Sequence, residues 1–387
     1  MKSNYKRLGD YIRQVDIRNK DRRVNRLLGV SISKTFIESI ANTVGTDFSN
    51  YKVVKKGQFA YGPVTSRNGD KISVAILKES ECIISSSYSV FEVCSDELLP
   101  DYLMLWFMRP EFDRYARYMS HGSVREIFDW DEMCSVKLPI PSVVEQKKIV
   151  ESYNVISERI NLKRKINDNL SSQRDALFQE MYPDEKSLPI GWSLRPLEQL
   201  ASLITDYVAN GSFQSLADNV QYLENNTGNV LIRLTDYNNN FNGNFVYISD
   251  SAYKFLSKSM LYGGEIIIAN VGVNVGTTFR CPNLDYRMSL GPNSIMIRDE
   301  RLQEYLYAYF VSVKGQHALQ EIVTGSAQPK FNKTGLRSMK IAVPDDRGIL
   351  DNLNKTLSSI YKMQCMNDDE IRNLYCLRDI LLQELSR

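Results

Sequence analysis

The sequence predicts an α+β protein with two globular domains, related by a pseudo-two-fold axis and joined by two long antiparallel coiled-coil helices. Three observations lead to this prediction. The chain has 387 residues, more than one ordinary hydrophobic core organises. Segments of the first half recur in the second half in the same order. Each half ends in a long stretch without Pro or Gly, with apolar residues at helical spacing.

An internal repeat indicates the domain organisation. Residues 99–108, 122–128 and 137–141 match residues 302–311, 325–331 and 340–344 at an offset of 203, and residues 179–181 match 383–385 at 204. The starts of the two halves, 7–12 and 196–201, match at an offset of 189. The second half therefore carries about fourteen extra residues near its start. Four matches in order indicate a duplication.

The two long stretches, residues 145–181 and 350–385, show the alternating three- and four-residue apolar spacing of a coiled-coil seam. The middle of each seam is polar, with Lys163 and Asn167 in the first stretch and Gln364 and Asn367 in the second. Equivalent polar positions meet if the helices run antiparallel, so we expect the helices to pair with each other. The alternative is that each helix packs separately on its own domain.

Short apolar segments between Gly, Pro and Asn residues predict the strands of each globular half. Predicted strands cover 59–61, 72–77, 82–84, 88–93, 230–234, 265–269 and 294–297. Predicted helical stretches cover 5–14, 102–108, 197–203 and 305–311.

Composition favours a cytoplasmic globular protein. There is no run of about 18 apolar residues and no apolar N-terminal stretch, so we expect neither a membrane span nor a signal peptide. The six cysteines form no CxxC pair and are expected to be reduced core thiols. Net charge is only +2, but residues 2–34 hold ten Lys or Arg and three Asp. That segment could face a phosphate backbone, or it could be a solvated face.

The joint between the first globular half and its helix carries a family resemblance. The segment Lys137-Leu-Pro-Ile-Pro-Ser-Val-Val-Glu-Gln-Lys-Lys-Ile-Val150 resembles the join of recognition domain and conserved helix in specificity subunits of type I restriction-modification systems. Leu188-Pro-Ile-Gly-Trp192 resembles that family's entry to a recognition domain, and residues 52–61 also resemble family sequence. The order of domain, helix, domain and helix covers the whole chain. The second joint, residues 341–348, lacks Glu-Gln, and the first half lacks the Gly-Trp entry.

This resemblance implies domain boundaries. They are a first target-recognition domain at 1–143, a first long helix at 144–182, a linker at 183–189, a second target-recognition domain at 190–346, and a second long helix at 347–387.

The resemblance also implies a noncatalytic subunit of a methyltransferase and endonuclease complex. Each recognition domain would read one half of a bipartite target in double-stranded DNA. The helices would set the half-site spacing and dock two modification subunits. S-adenosylmethionine, ATP and Mg²⁺ are expected in the modification and restriction subunits, and no cofactor, metal or membrane partner is expected for this chain.

A direct search for catalytic motifs agrees with a noncatalytic role. The sequence has no Asn/Asp-Pro-Pro-aromatic motif for a flipped adenine and no Gly-x-x-x-x-Gly-Lys-Ser/Thr phosphate loop. Residues 183–186 only faintly resemble a nuclease motif. His121 with Asp129 could suggest acid-base chemistry, but an exposed or DNA-facing loop histidine is the better interpretation.

The candidate DNA-reading residues lie in two pairs of loops. Arg125 and Gln328 occupy equivalent positions and are residue types that read guanine and adenine edges with two hydrogen bonds. Glycines before them let the backbone approach a phosphate. The full candidate set is His121, Ser123, Arg125, Thr65, Ser66 and Arg67 in the first half, and Asn270, Asn274, Ser326, Gln328, Lys330 and Lys333 in the second. The alternative is that these are solvated polar turns.

Two other classes of function remain open from the residues. A catalytic DNA methyltransferase or nuclease lacks its motifs here. A coiled-coil adaptor that binds only protein, or an inactive remnant without DNA binding, would keep the helices and lose base reading.

Overall fold

The computed structural model describes residues 5–39, 45–66, 68–122, 125–243 and 245–386. The chain divides into a first unit, residues 1–162 with 370–387, and a second unit, residues 163–369. Within the described residues, no helix combines the length and apolar character needed to cross a membrane.

The described residues of the first unit form ten short strands and three helices before the first long helix. The strands are β1 (Tyr5–Arg7), β2 (Ile12–Val15), β3 (Leu28–Val30), β4 (Phe36–Glu38), β5 (Lys52–Lys55), β6 (Phe59–Tyr61), β7 (Val74–Ile76), β8 (Glu81–Ile84), β9 (Ser89–Val93) and β10 (Lys137–Pro139). The helices are α1 (Pro100–Met108), α2 (Pro110–Tyr118), α3 (Trp130–Ser135) and the start of the long α4 (Val143–Met181), whose residues after 162 belong to the second unit. The main sheet is antiparallel in the order β2-β9-β6-β7.

The second unit repeats this plan. Its strands are β11 (Trp192–Pro196), β12 (Leu203–Asp206), β13 (Asn229–Ile232), β14 (Val246–Tyr247), β15 (Met260–Leu261), β16 (Ile266–Ala269), β17 (Thr278–Arg280), β18 (Arg287–Leu290), β19 (Ser294–Arg298) and β20 (Lys340–Pro344). Its helices are α5 (Leu197–Leu200), α6 (Phe213–Asn219), α7 (Leu234–Asn238), α8 (Asp250–Phe255), α9 (Gln303–Val311), α10 (Val313–Glu321), α11 (Lys333–Ser338) and the start of the long α12 (Arg347–Glu384), whose residues from 370 onward belong to the first unit.

The two units share their main sheet and its connections. The order β12-β19-β16-β17 repeats β2-β9-β6-β7, and the pair β11-β20 repeats β1-β10. The Tyr102 hydroxyl donates to the Pro139 carbonyl at 3.1 Å, and its repeat equivalent Tyr305 donates to the Ala342 carbonyl at 2.5 Å. The sequence repeat is therefore also a structural repeat. The sheet β14-β13-β18-β15 corresponds to the pairs β3-β4 and β5-β8 of the first unit, which a parallel bridge between Leu27 and Ile83 links. The extra residues of the second half lie between β12 and β16, the stretch that holds β13, β14 and β15.

The predicted helix over residues 5–14 is wrong. The segment forms β1, a short 3-10 turn at Leu8–Asp10, and β2. β1 pairs with β10 and β2 pairs with β9, so long-range strand pairing overrides the local helical pattern. The helix predicted at 197–203 is also too long, because it ends at Leu200 and β12 begins at Leu203.

The cysteines do not all lie in the core. Cys82 and Cys281 are buried, whereas Cys94 and Cys376 are exposed. All six thiols are free, which agrees with the expectation of reduced cysteines.

In the first unit, the start of α4 packs against the end of α12. Tyr153 lies in the same buried core as Leu382 and Leu385, and Ile160 packs with Ile371 and Leu374. The residue numbers of the contacts increase along α4 while those of their partners decrease along α12. The helices therefore run antiparallel here, as predicted.

In the second unit, the polar middles of the two seams meet. The Asn367 amide donates to the Asn167 Oδ1 at 2.8 Å, and the Lys163 ammonium donates to the Asn367 Oδ1 at 3.0 Å. The Gln364 amide donates to the Ser171 hydroxyl at 2.9 Å. The helices pair with each other, so the alternative of separate packing is excluded.

Candidate nucleic-acid interface

The two candidate loops of the first unit lie side by side. They form the first platform, defined as residues 62–66, 121–122 and 125–128. Ile127 makes antiparallel bridges to both His121 and Val64. The Thr65 backbone N–H donates to the Glu126 carbonyl at 3.0 Å. Backbone hydrogen bonds therefore fix one loop on the other.

The second unit builds the same arrangement from its own loops. This second platform is residues 270–276 and 324–331. Lys330 makes antiparallel bridges to both Thr324 and Val271, and the Gly272 N–H donates to the Pro329 carbonyl at 2.9 Å. These contacts match those of the first platform at offsets of 203 for one loop and 207 for the other. The pairing of loops from distant parts of each half was not visible in the sequence.

Equivalent glycines shape both platforms. Gly122 has φ 136°, and a Cβ there would lie 2.1 Å from the Arg125 carbonyl oxygen. Gly325 has φ 87°, and a Cβ there would lie 2.9 Å from the Gln328 carbonyl oxygen. No side chain fits either position without moving the backbone. The glycines thus set the turn that presents Arg125 and Gln328.

Most of the candidate side chains are exposed on the platforms. The exposed candidates are His121, Arg125, Ser66, Asn274, Ser326, Gln328 and Lys330. Ser123 and Arg67 lie outside the described residues. Within the described part of the chain, neither the Arg125 guanidinium nor the Gln328 amide has a hydrogen-bond partner, so both are available to an external acceptor or donor.

The side chains of three candidates have partners within the protein instead. Thr65 is 1% exposed, and its hydroxyl donates to the Ser120 hydroxyl at 2.9 Å. The Asn270 amide donates to the Phe331 carbonyl at 3.1 Å. The Lys333 ammonium lies 2.8 Å from the Asp206 carboxylate. In this structure Thr65 and Asn270 position the loops, and Lys333 is ion-paired.

His121 and Asp129 do not form an acid-base pair. The Asp129 carboxylate accepts the Glu132 backbone N–H at 2.9 Å and so caps α3. His121 Nε2 lies 3.9 Å from the Glu132 carboxylate, with most of its side chain exposed. Burial raises the pKa of the Tyr115 hydroxyl, whose ring packs against Phe128 of the first platform.

One exposed residue was missed by the sequence reasoning. Val273 is 93% exposed between Gly272 and Gly276 in the second platform. At the offset of 207, its equivalent in the first platform is Ser66. The alternation of valines at 271, 273 and 275 was a possible signal, because only the central one lies on the exposed side.

The basic N-terminal segment is partly neutralised by acids from elsewhere in the first unit. Arg13 pairs with Glu92 and Arg22 pairs with Asp47. Arg26 contacts both Glu38 and Glu79. These pairs favour the interpretation of the segment as a solvated face.

The chain is similar to known proteins in part of its sequence and in its fold. No protein-family model matches the chain. Over 136 residues the chain is 26% identical to the type I restriction enzyme HindI specificity subunit of Haemophilus influenzae. The matched segment covers 34% of this chain and 29% of that relative. The solved S subunit of a type I restriction-modification system from M. genitalium covers 99% of this chain and 96% of its own, with a TM-score of 0.55 and 12% identity.

The chain therefore has the fold of type I restriction-modification specificity subunits. The resemblance that the joint and the repeat indicated is confirmed. The sequence match to the Haemophilus influenzae relative spans less than a third of that relative's length.

Proposed function

We propose that the chain is the DNA specificity subunit of a type I restriction-modification complex. Each globular domain reads one half of a bipartite target in double-stranded DNA. The observation that supports this is the pair of platforms, which share their backbone contacts and differ in their exposed side chains. Arg125 is matched by Gln328, and Ser66 by Val273.

These differences have a direct chemical meaning for base reading. Arginine donates two hydrogen bonds to the O6 and N7 of guanine, and glutamine makes a bidentate contact with the N6 and N7 of adenine. An exposed valine suits the C5-methyl group of thymine. Two different half-sites can be read by two loops with the same backbone contacts and different exposed side chains.

The subunit contributes no catalysis in this proposal. Two modification subunits, which carry S-adenosylmethionine, dock on it, and restriction subunits with ATP and Mg²⁺ complete the complex. The paired helices α4 and α12 set the spacing of the half-sites.

The test is to purify the chain with its modification subunit and to measure binding to duplexes with each base pair of the target varied. Arg125→Ala should relax the preference in one half-site only, and Gln328→Ala in the other, by about 1–3 kcal/mol at the base pair read. Arg114→Ala removes an exposed arginine of the first unit outside the platform and serves as the control. A complex that binds no duplex would favour the protein-only adaptor.

A further inference from the structure

A basic cleft of about 320 Å³ lies in the second unit beside the second platform. Eleven residues line it, of which four are cations and none is an acid. The four cations are Lys258, Arg298, Lys333 and Arg337. We call this cleft the basic pocket.

One wall of the basic pocket comes from α11. Lys333 and Arg337 are four residues apart and so lie on the same face of the helix. The Arg337 Nη2 donates to the Ile204 carbonyl at 3.0 Å, and Lys333 is held by Asp206. α11 begins three residues after Lys330, so the second platform leads directly into this wall.

The opposite wall holds Arg298 and Lys258. The Arg298 Nη2 donates to the Glu265 carboxylate and to the Met260 carbonyl, both at 2.7 Å. Its guanidinium also lies over the Tyr262 ring, 4.7 Å from the centroid. Lys258 is exposed, and its ammonium has no partner within the described residues. The protein fixes Arg298 in place and leaves Lys258 free.

Each cation keeps donors that the protein does not use. Of the three nitrogens of Arg337, only Nη2 has a partner within the part of the chain that the structure describes, and Nη1 of Arg298 has none there. Asp206, which pairs with Lys333, and Glu265, which pairs with Arg298, are not among the lining residues. The pocket therefore offers several unused N–H donors, and its lining contains no carboxylate.

We propose that the basic pocket binds a backbone phosphate of the DNA, next to the half-site read by the second platform. This inference rests on the proposed function. Two arginine forks and two lysines match the anionic oxygens of a phosphodiester, and phosphate contacts position a protein on the duplex while base contacts specify sequence.

The equivalent helix of the first unit, α3, does not carry the two cations of this wall. At the offset of 203, Lys333 and Arg337 correspond to Trp130 and Cys134 of α3. Asp131 and Glu132 also lie in this helix. The proposed phosphate contact therefore belongs to one half-site, and the two domains hold the DNA backbone differently.

The test uses the complex assembled with the modification subunits and the double variant Lys258→Ala with Arg337→Ala. We expect affinity to fall on the order of tenfold on target and non-target duplexes alike, with a salt slope smaller by about one. Neutral methylphosphonates, placed one at a time along the duplex, should weaken the unmodified complex at one or two positions near the second half-site. The double variant should be insensitive at those positions.

The matched control is Lys254→Ala with Arg301→Ala, which removes two exposed cations of the same unit outside the pocket. Unchanged affinity and salt slope in the pocket variant, while the unmodified complex binds its target, would overturn the pocket and leave the proposed function standing. Full DNA affinity with impaired assembly would assign the pocket to a protein partner instead and overturn the inference. An unmodified complex that binds no duplex would overturn both proposals.

Discussion

The side-chain amide of Asn367 donates a hydrogen bond of 2.8 Å to the amide oxygen of Asn167 in the polar middle of the helix seam. Asn367 is 7% exposed and also accepts from the Lys163 ammonium at 3.0 Å. A buried polar pair of this kind fixes the register and orientation of paired helices. The two asparagines occupy equivalent polar stretches of the repeat, so the antiparallel pairing brings like positions together.

Asn367→Leu should lower the free energy of unfolding by about 1–3 kcal/mol, because Asn167 and Lys163 lose a partner in a buried seam. Chemical denaturation of the purified chain measures this loss. Asn352→Leu, an exposed position on the same helix, should change it by less than about 0.5 kcal/mol. Equal stability of Asn367→Leu and the native chain would show that the pair contributes nothing.

This seam could be predicted because helical spacing and polar interruptions are local features of the sequence. The strand at Tyr5–Arg7 could not be predicted, because its pairing with Lys137–Pro139 joins residues at least 130 positions apart. Only part of each platform could be predicted from the sequence. Equivalent loops and exposed residues such as Arg125 were found, but the burial of Thr65 depends on a bond to Ser120 that no local pattern reveals.

The Glu-Gln pair of the first joint has a structural explanation. Ser142 and Glu145 form a capping box at the start of α4, since the Glu145 carboxylate accepts from the Ser142 N–H at 3.0 Å and the Ser142 hydroxyl from the Glu145 N–H at 3.3 Å. Gln146 is completely buried, accepts from the Leu99 N–H at 2.8 Å and donates to the Glu97 carbonyl at 2.7 Å. The glutamine thus ties α4 to the start of α1.

Gln146→Ala should destabilise the first unit by about 2–3 kcal/mol, because a buried N–H and carbonyl lose their partner. Thermal unfolding of the full chain measures the effect, with exposed Lys147→Ala as the control. The second joint lacks this glutamine, and there the Asn354 Oδ1 accepts the Tyr305 N–H at 3.1 Å. If Gln146→Ala and the control unfold at the same temperature, the glutamine of the joint does not contribute to stability.

The glycines of the platforms provide a test of loop shape. Gly122→Ala places a Cβ against the Arg125 carbonyl oxygen, so we expect the first platform to change shape and the complex to lose base preference in one half-site. Gly69→Ala is a suitable control, because its φ is 60° but nothing lies within 4 Å of the added Cβ. Binding to duplexes of varied sequence measures this preference. If Gly122→Ala keeps its base preference in both half-sites, the shape of this loop does not determine base reading.

Cysteine reactivity reports burial without any binding partner. Burial raises the pKa of the Cys82 thiol to about 12 and also raises that of Cys281. Both thiols therefore stay protonated and shielded at pH about 8, where a thiol of ordinary pKa is partly ionised and reactive. Mass spectrometry after brief alkylation should find label on exposed Cys94 and Cys376, and on Cys82 and Cys281 only after unfolding. Rapid labelling of native Cys281 would contradict this packing.

The central claim is that two equivalent platforms read two different half-sites, and methylome sequencing of a host carrying the chain tests it most directly. With the modification subunit present, the native gene should produce one bipartite methylated motif with a fixed gap, absent when the gene is deleted. Arg125→Ala should relax one half of that motif and Gln328→Ala the other, with the gap unchanged. A motif without a gap, or both variants relaxing the same half, would contradict the account.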